Sequence, residues 1–149
     1  MNLKNIVLGL VFLLSVGISH AQSNYFVQVP QYPGLKAYKH ILADNGFDFE
    51  MDMDNTYMFT KTEKGVTTDV LVVCLPNGII SNVMYEYSEE GVKTPRLYKN
   101  ISKAVIDLFG KPHINTAKEM GWFFPKCAII VMKDKDGVSM IWTNENLKK

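Results

Sequence analysis

The sequence predicts an α+β protein in which two α-β-β-β units form one antiparallel sheet, with two helices packed on one face. Two amphipathic helical segments each end at a glycine, Gly46 and Gly110. Strand-like segments follow each helix, and each set contains a hairpin signal, Asn77-Gly78 in the first and Asp136-Gly137 in the second. Two such units can join their strands and bury one sheet face under both helices.

The first 21 residues are typical of a secretory signal peptide. Lys4 is the only charged residue, Ile6–Ile18 is apolar or small, and Ser19–Ala21 places small residues at a cleavage point before Gln22. The apolar run is shorter than the about 20 residues that span a bilayer. We therefore expect cleavage near Ala21-Gln22, no membrane span afterwards, and a soluble periplasmic or extracellular protein.

The size and charge of the remaining chain limit its class. Removing 21 of 149 residues leaves 128, the length of one ordinary domain, and removing Lys4 from the 16 basic residues leaves 15 against 15 acidic ones. A formal charge of zero argues against a nucleic-acid partner and gives no reason to expect an anionic membrane surface. A chain of this length buries a core without metal or disulfide, and no cofactor is implied.

The mature chain has two cysteines, Cys74 and Cys127. An oxidising compartment permits a disulfide between them. Cys74 also lies in an apolar run, where a free cysteine behaves as a small buried hydrophobe. The sequence leaves both alternatives open.

The first half of the mature chain starts with residues 22–34, an N-terminal extension in which Tyr25–Val29 can form a short edge strand. Pro33 suits the first turn of a helix, whose apolar stripe lies within Leu35–Leu42 and which stops at Asn45-Gly46. Later segments predict strands, and one of them, Val70–Leu75, is apolar on both faces. Residues 48–54 predict a half-buried strand, or an extended lead-in to one, that continues as strand through 57–61. Two further strands are predicted at 68–75 and 79–87.

Four acidic residues of the first strand alternate with Phe49, Met51 and Met53, so we expect their carboxylates to point to one side. They could bind a cation such as Ca²⁺, attract a basic partner, or form a solvated face that protects a strand edge. The sequence does not decide among these. The four residues are Asp48, Glu50, Asp52 and Asp54.

The second half begins with a helix that Thr94-Pro95 starts and Gly110 and Pro112 end. Strands are predicted at about 120–124, 128–133 and 137–143. We therefore expect a single α+β domain over 35–149 with pseudo-repeats at about 35–88 and 95–144.

The run Ile101–Pro112, followed by a strand hairpin, resembles a group of secreted bacterial proteins with tandem α-β-β-β units. The group includes the β-lactamase inhibitor protein fold and outer-membrane assembly lipoproteins of the SmpA/OmlA type. In these a helix ends in a Gly-x-Pro-like turn and leads into a short meander. The chain departs from the lipoprotein branch because it has no acylatable cysteine near the cleavage point. The resemblance implies binding to another protein through an open sheet face, and it assigns no individual binding residue.

The sequence carries no motif that specifies a reaction. It has no HExxH, no Gly-x-Ser-x-Gly, no phosphate-binding glycine loop and no CxxC. A triad can be assembled from distant residues, but we expect a protein that is not an enzyme, with no catalytic, cofactor-binding or metal-binding residue.

The strongest functional signal is a mismatch between strands and helices. Val70–Leu75 and Ala128–Met132 are apolar on both faces, whereas two helices cover one face only. The 22–34 segment, a second copy or a protein partner must then cover the other face. We expect a binding module that contacts a partner through this open face with Tyr85, Tyr87, Trp122 and Trp142. The alternative is a small-ligand carrier or hydrolase with a pocket between the sheet and the 22–34 segment.

Overall fold

The computed structural model describes residues 25–27, 29, 34–91 and 94–148; the predicted signal peptide, 1–21, and Pro33 lie outside these described residues. The described chain forms two α-helices, eight strands and a 3-10 helix. They are α1 (Leu35–Asp44), β1 (Asp48–Met53), β2 (Thr56–Glu63), β3 (Val66–Cys74), β4 (Ile80–Glu89), α2 (Thr94–Phe109), β5 (Ile114–Asn115), β6 (Glu119–Phe123), β7 (Cys127–Lys133), β8 (Val138–Asn144) and the 3-10 helix Glu145–Lys148.

The strands form one sheet in the order β1-β2-β3-β4-β8-β7-β6-β5. All seven neighbouring pairs are antiparallel. Each helix precedes a four-strand meander, and the last strands of the two meanders, β4 and β8, pair at the centre. The prediction of an α+β fold with helices packed on an antiparallel sheet is confirmed, but each helix precedes four strands rather than three.

The additional strand of the first half arises from a turn that the sequence interpretation missed. Asp54 and Asn55 both have positive φ, 47° and 63°, and they reverse the chain between β1 and β2. Two consecutive left-handed residues match the two-residue hairpin turns whose twist fits paired strands, and Asp and Asn tolerate this conformation better than most residues. In the second half the additional strand is the two-residue β5.

Both helices end where the sequence predicts. Gly46 and Gly110 follow α1 and α2 with φ of 80° and 78°, a conformation that glycine adopts without strain. α1 buries Tyr38 and Leu42. Five side chains of α2 are buried, because they share the face turned to the sheet: Leu97, Tyr98, Ile101, Ser102 and Val105.

The two helices pack on the same side of the sheet, which we call the covered face. The Tyr38 hydroxyl of α1 lies 2.6 Å from that of Tyr85 on β4. The Lys133 ammonium of β7 lies 5.0 Å from the ring centroid of Tyr98 on α2. Side chains of the covered face form the core together with those of the helices. We call the opposite side of the sheet the open face, because neither helix packs on it.

The described residues of the N-terminal segment also lie on the covered face. Phe26 is buried in the core, and the two tyrosine hydroxyls hold the backbone of Val27. Residues 25–27 and 29 belong to no strand, so the described part of this segment is not the edge strand predicted as one alternative. Aromatic packing and side-chain hydrogen bonds hold it instead of a strand ladder. The described residues of the segment therefore leave the open face uncovered.

Cys74 and Cys127 are free thiols. They lie on β3 and β7, and β4 and β8 separate these strands. Three strand spacings correspond to about 14 Å, whereas a disulfide needs Cα atoms within about 7 Å. Of the two alternatives that the sequence left open, the structure has the unbonded one.

Candidate interface on the open face of the sheet

The four aromatic side chains expected at the contact surface lie in the core instead. Tyr85, Tyr87, Trp122 and Trp142 are 0%, 2%, 0% and 9% exposed. Strand register explains the correction. Tyr85 pairs with Val70 and Trp142 with Val83, and both valines are fully buried on the covered face. The placement of these aromatic residues on the open face is therefore wrong.

These side chains instead connect parts of the core. The Trp122 indole N–H donates to the carbonyl oxygen of Gly110 at 2.8 Å and so ties the end of α2 to β6. The Tyr85 hydroxyl donates to the Val27 carbonyl at 2.9 Å and accepts from the Val27 N–H at 3.1 Å. Burial raises the pKa of Tyr85 to about 12, so this hydroxyl keeps its proton at neutral pH.

The open face carries a continuous line of apolar side chains, which we call the apolar row. Cross-strand partners lie side by side on one face of a sheet, and the pairing connects one position from each of the eight strands. Seven of the eight positions carry large apolar side chains, and the eighth is glycine. In sheet order they are Met51, Met58, Leu71, Met84, Ile141, Ile130, Gly121 and Ile114.

The ends of the apolar row are exposed, and its centre is half-buried. Met51 is 56% exposed and Ile114 is 40% exposed, while the five side chains between Met51 and Gly121 have intermediate exposure. Phe123, 46% exposed, extends over Gly121: a Cβ atom at Gly121 would lie 3.3 Å from its ring. The aromatic ring thus fills the space that a side chain at Gly121 would occupy.

A bulge in β1 decides which side chains reach the open face. The register shifts between Phe49 and Met51, so Glu50 has no partner in the ladder. Met51 and Met53 consequently pair with Met58 and Thr56 and lie on the open face, whereas Phe49, on the other side of the bulge, pairs with the buried Phe59 on the covered face.

The predicted one-sided acidic stripe is corrected by the same bulge. Asp48 pairs with Thr60 on the open face, Asp52 pairs with Tyr57 on the covered side, and Asp54 lies in the turn. The strict two-residue alternation assumed from the sequence fails where an extra residue is inserted. Among the described residues, no group of three or more His, Cys, Asp or Glu side chains is arranged to hold a metal ion.

A second line of cross-strand partners, which we call the acidic row, lies beside the apolar row on the open face. On each strand except the bulged β1, its position is two residues from that of the apolar row. It contains four carboxylates and crosses seven strands. In sheet order its positions are Asp48, Thr60, Asp69, Glu86, Ser139, Met132 and Glu119. None of the described residues at register positions of the open face is Lys or Arg.

The acidic row meets a groove at the β7–β8 hairpin. The groove has a volume of about 230 Å³, and four carboxylates belong to its lining, those of Asp69, Glu86, Asp134 and Asp136. Asp134 accepts the backbone N–H groups of Asp136 and Gly137 at 2.8 and 2.9 Å. These two bonds hold the pKa of Asp134 below its ordinary value, so it is charged at neutral pH.

Several lysines lie on the covered side instead. The Lys39 ammonium of α1 lies 4.2 Å from the Tyr57 ring centroid and 4.9 Å from that of Phe49. Lys61 pairs with Glu63 at 2.8 Å and donates to the carbonyl of Asn45. The nearly balanced formal charge of the sequence, +1, therefore does not describe the open face, which is acidic.

The expected pocket between the sheet and the N-terminal segment is small. The space bounded by Tyr25, Phe26, Val27 and the neighbouring strands has a volume of about 10 Å³. Such a space holds about one water molecule. Phe26 is buried here, and the hydroxyls of Tyr38 and Tyr85 both donate to the Val27 carbonyl.

Comparison of the chain with family models, curated proteins and solved structures finds no match. The resemblance to the β-lactamase inhibitor protein fold and the SmpA/OmlA-type lipoproteins stays a prediction. Among the described residues, no helix is long and apolar enough to cross a membrane.

Proposed function

We propose that the mature protein is a secreted or periplasmic binding module without catalytic activity, and that it contacts a protein partner through the open face. One observation carries the proposal: the apolar row crosses all eight strands on the side that neither helix covers. The resemblance to secreted α-β-β-β proteins implies the same mode of contact. The signal-like segment 1–21 supports the proposed location.

The size of the apolar surface supports a contact role. One position on a sheet face occupies about 33 Å², since strands lie about 4.8 Å apart and successive same-face residues about 6.8 Å apart. The eight positions of the apolar row thus cover roughly 260 Å². Met53, Val73 and Phe123 lie one position further along three of the strands and extend the area to roughly 360 Å². Apolar patches of a few hundred Å² on a monomer are often functional.

The alternative, a ligand carrier or hydrolase with a pocket beside the N-terminal segment, has less support. A drug-sized ligand needs about 300 Å³ or more, and the space beside that segment is about 10 Å³. The open face favours a macromolecular partner instead, because the apolar row extends across all eight strands and is not an enclosed cavity.

The test uses a photo-activated cross-linking amino acid at Met84, in the centre of the apolar row, in the organism that produces the protein. The matched control carries the same amino acid at Asn100, which is exposed on α2. We expect a discrete protein adduct from position 84 and none from position 100. The adduct should disappear when Leu71→Thr and Ile141→Thr are added, since threonine keeps strand propensity while it removes apolar surface.

Two results contradict the proposal. One is the lack of a protein adduct at position 84 in cells that contain the folded protein. The other is an adduct that persists unchanged in the Leu71→Thr/Ile141→Thr variant. Circular dichroism of each purified variant confirms that it is folded, so that loss of structure is not mistaken for loss of binding.

A further inference from the structure

We infer that the partner segment that binds the open face is a cationic amphipathic helix, with its apolar side on the apolar row and lysine or arginine side chains on the acidic row. This inference rests on the proposed function and adds the chemistry of the partner. It follows from three features of the open face: an unneutralised pair of carboxylates, the parallel course of the two rows, and the dimensions of the surface.

The carboxylates of Asp69 and Glu86 lie directly opposite each other on β3 and β4. Like charges at directly opposed positions destabilise a sheet. Asp69 accepts a hydrogen bond from the Thr60 hydroxyl at 2.7 Å, but no Lys or Arg of the described residues forms a salt bridge with either carboxylate. The protein therefore keeps a repulsive pair on the two central strands of the acidic row, beside the apolar row, and a cation from outside would neutralise it.

The two rows give the surface the same pattern as one side of an amphipathic helix. The acidic row runs parallel to the apolar row at about 6.8 Å, the spacing of same-face residues along a strand. Asp134 and Asp136 add charge on the acidic side, where the groove opens beside Glu86. A helix with its apolar stripe on the apolar row can thus place cations of one flank over the carboxylates.

The dimensions favour a helix over an extended chain. Seven strand spacings make the apolar row about 34 Å long, which equals a helix of about 22 residues. A helix satisfies its own backbone hydrogen bonds. An extended segment lying on a sheet face would find no backbone partners there, since the ladder of the sheet uses its own groups in the sheet plane.

The charge of the open face argues against two other occupants. A second copy bound face to face would bring the same surface, whose register positions carry no Lys or Arg among the described residues. Asp69 and Glu86 would then lose water without gaining a cation, which is unfavourable for buried charge. An anionic membrane surface would be repelled by the same carboxylates.

The experiment measures binding of three fluorescent peptides to the mature protein by anisotropy. The probes are a peptide of about 22 residues with leucines on one helical face and lysines along its flank, the same peptide with glutamates for lysines, and a scrambled lysine peptide. We expect the helical lysine peptide to bind more tightly than the other two. Raising the salt from about 50 to about 300 mM should weaken its binding, because screening acts on exposed charges.

The test variant is Asp69→Asn/Glu86→Gln. We expect it to bind the lysine peptide about tenfold more weakly at low salt, because two partly exposed ion pairs are lost. The matched control, Asp44→Asn/Asp52→Asn, makes the same charge change away from the open face and should bind as the unmodified protein does. The thermal midpoint of the test variant should be unchanged or higher, since a repulsive pair is removed.

Several outcomes overturn the inference, and they differ from failure of the proposed function. Equal affinity for the lysine, glutamate and scrambled peptides refutes the cationic helix, and so does an equal loss in the control variant. Sedimentation with anionic vesicles, or a dimer that Leu71→Thr/Ile141→Thr dissociates, assigns the face to another occupant. A partner cross-linked at Met84 that contains no such helix leaves the proposed function intact and rejects this inference alone.

Discussion

Replacing Tyr85 and Tyr87 with phenylalanine tests the assignment of the buried tyrosines, because the two hydroxyls differ in their partners. The Tyr85 hydroxyl donates to the Val27 carbonyl, accepts from the Val27 N–H, and lies 2.6 Å from the Tyr38 hydroxyl. The Tyr87 hydroxyl is buried with no hydrogen-bond partner among the described residues. Each replacement removes one oxygen from one side of the same strand and leaves the ring in place.

The structure predicts effects of opposite sign. Tyr85→Phe leaves the Val27 N–H without its acceptor, although Tyr38 can still donate to the Val27 carbonyl at 3.1 Å. We expect a loss of about 1–3 kcal/mol in the free energy of unfolding. Tyr87→Phe removes a polar group that gains nothing in the core, so its free energy of unfolding should be unchanged or higher by about 1 kcal/mol.

Urea unfolding followed by tryptophan fluorescence measures both values, since Trp122 and Trp142 are buried and report loss of the core. Hydrogen exchange at the Val27 amide gives a local readout. It should accelerate in Tyr85→Phe and stay unchanged in Tyr87→Phe. Equal losses in the two variants, or a larger loss in Tyr87→Phe, would refute the assigned hydrogen bonds.

Two further predictions concern titration and the thiols. Burial raises the pKa of Tyr38, Tyr85 and Tyr87 above the ordinary value of 10.0, and that of Tyr85 to about 12. Above pH 10 the folded protein therefore binds more protons than the unfolded chain. The contribution of these tyrosines to the free energy of unfolding should be constant below pH 10 and decrease as the pH rises through about 12. Chemical denaturation at a series of alkaline pH values measures this free energy. A free energy of unfolding that does not change over this range contradicts the prediction. Cys74 and Cys127 should both react with a thiol reagent in denaturant without reductant, because no intramolecular bond can join them. Mass spectrometry that finds no labelled thiol on a monomeric chain would contradict this second prediction.

The sequence predicted the helix ends and most of the hairpin turns correctly, because these features depend on a few neighbouring residues. The helix ends at Gly46 and Gly110 and the turns at Asn77-Gly78 and Asp136-Gly137 all lie where predicted. Such signals are local because a left-handed φ or a side-chain-capped turn involves only a few residues. The turn at Asp54-Asn55 was missed because it contains no glycine and the alternating pattern runs straight into it.

A signal for the correct face was present in β4. Glu86 and Ser88 share one set of alternate positions with Met84, while Val83, Tyr85 and Tyr87 share the other. The charged and polar positions mark the solvent side of a half-covered strand, and so they place the two tyrosines in the core. The aromatic content of the strands, on which the predicted contact residues depended, does not distinguish the two faces, whereas this alternation does.

The sequence by itself determined the class of the fold, the positions of its two helices and the excess of apolar strand surface over what two helices can cover. These follow from periodicity and turn chemistry, which act over a few residues. Only the tertiary structure decided which side chains share a face: Met51, Leu71, Met84 and Ile141 come from four strands, and strand register and the β1 bulge bring them into one row. The separation of charge is likewise a tertiary property, because a chain with a formal charge of only +1 acquires an acidic face when strand pairing gathers carboxylates from several strands on one side.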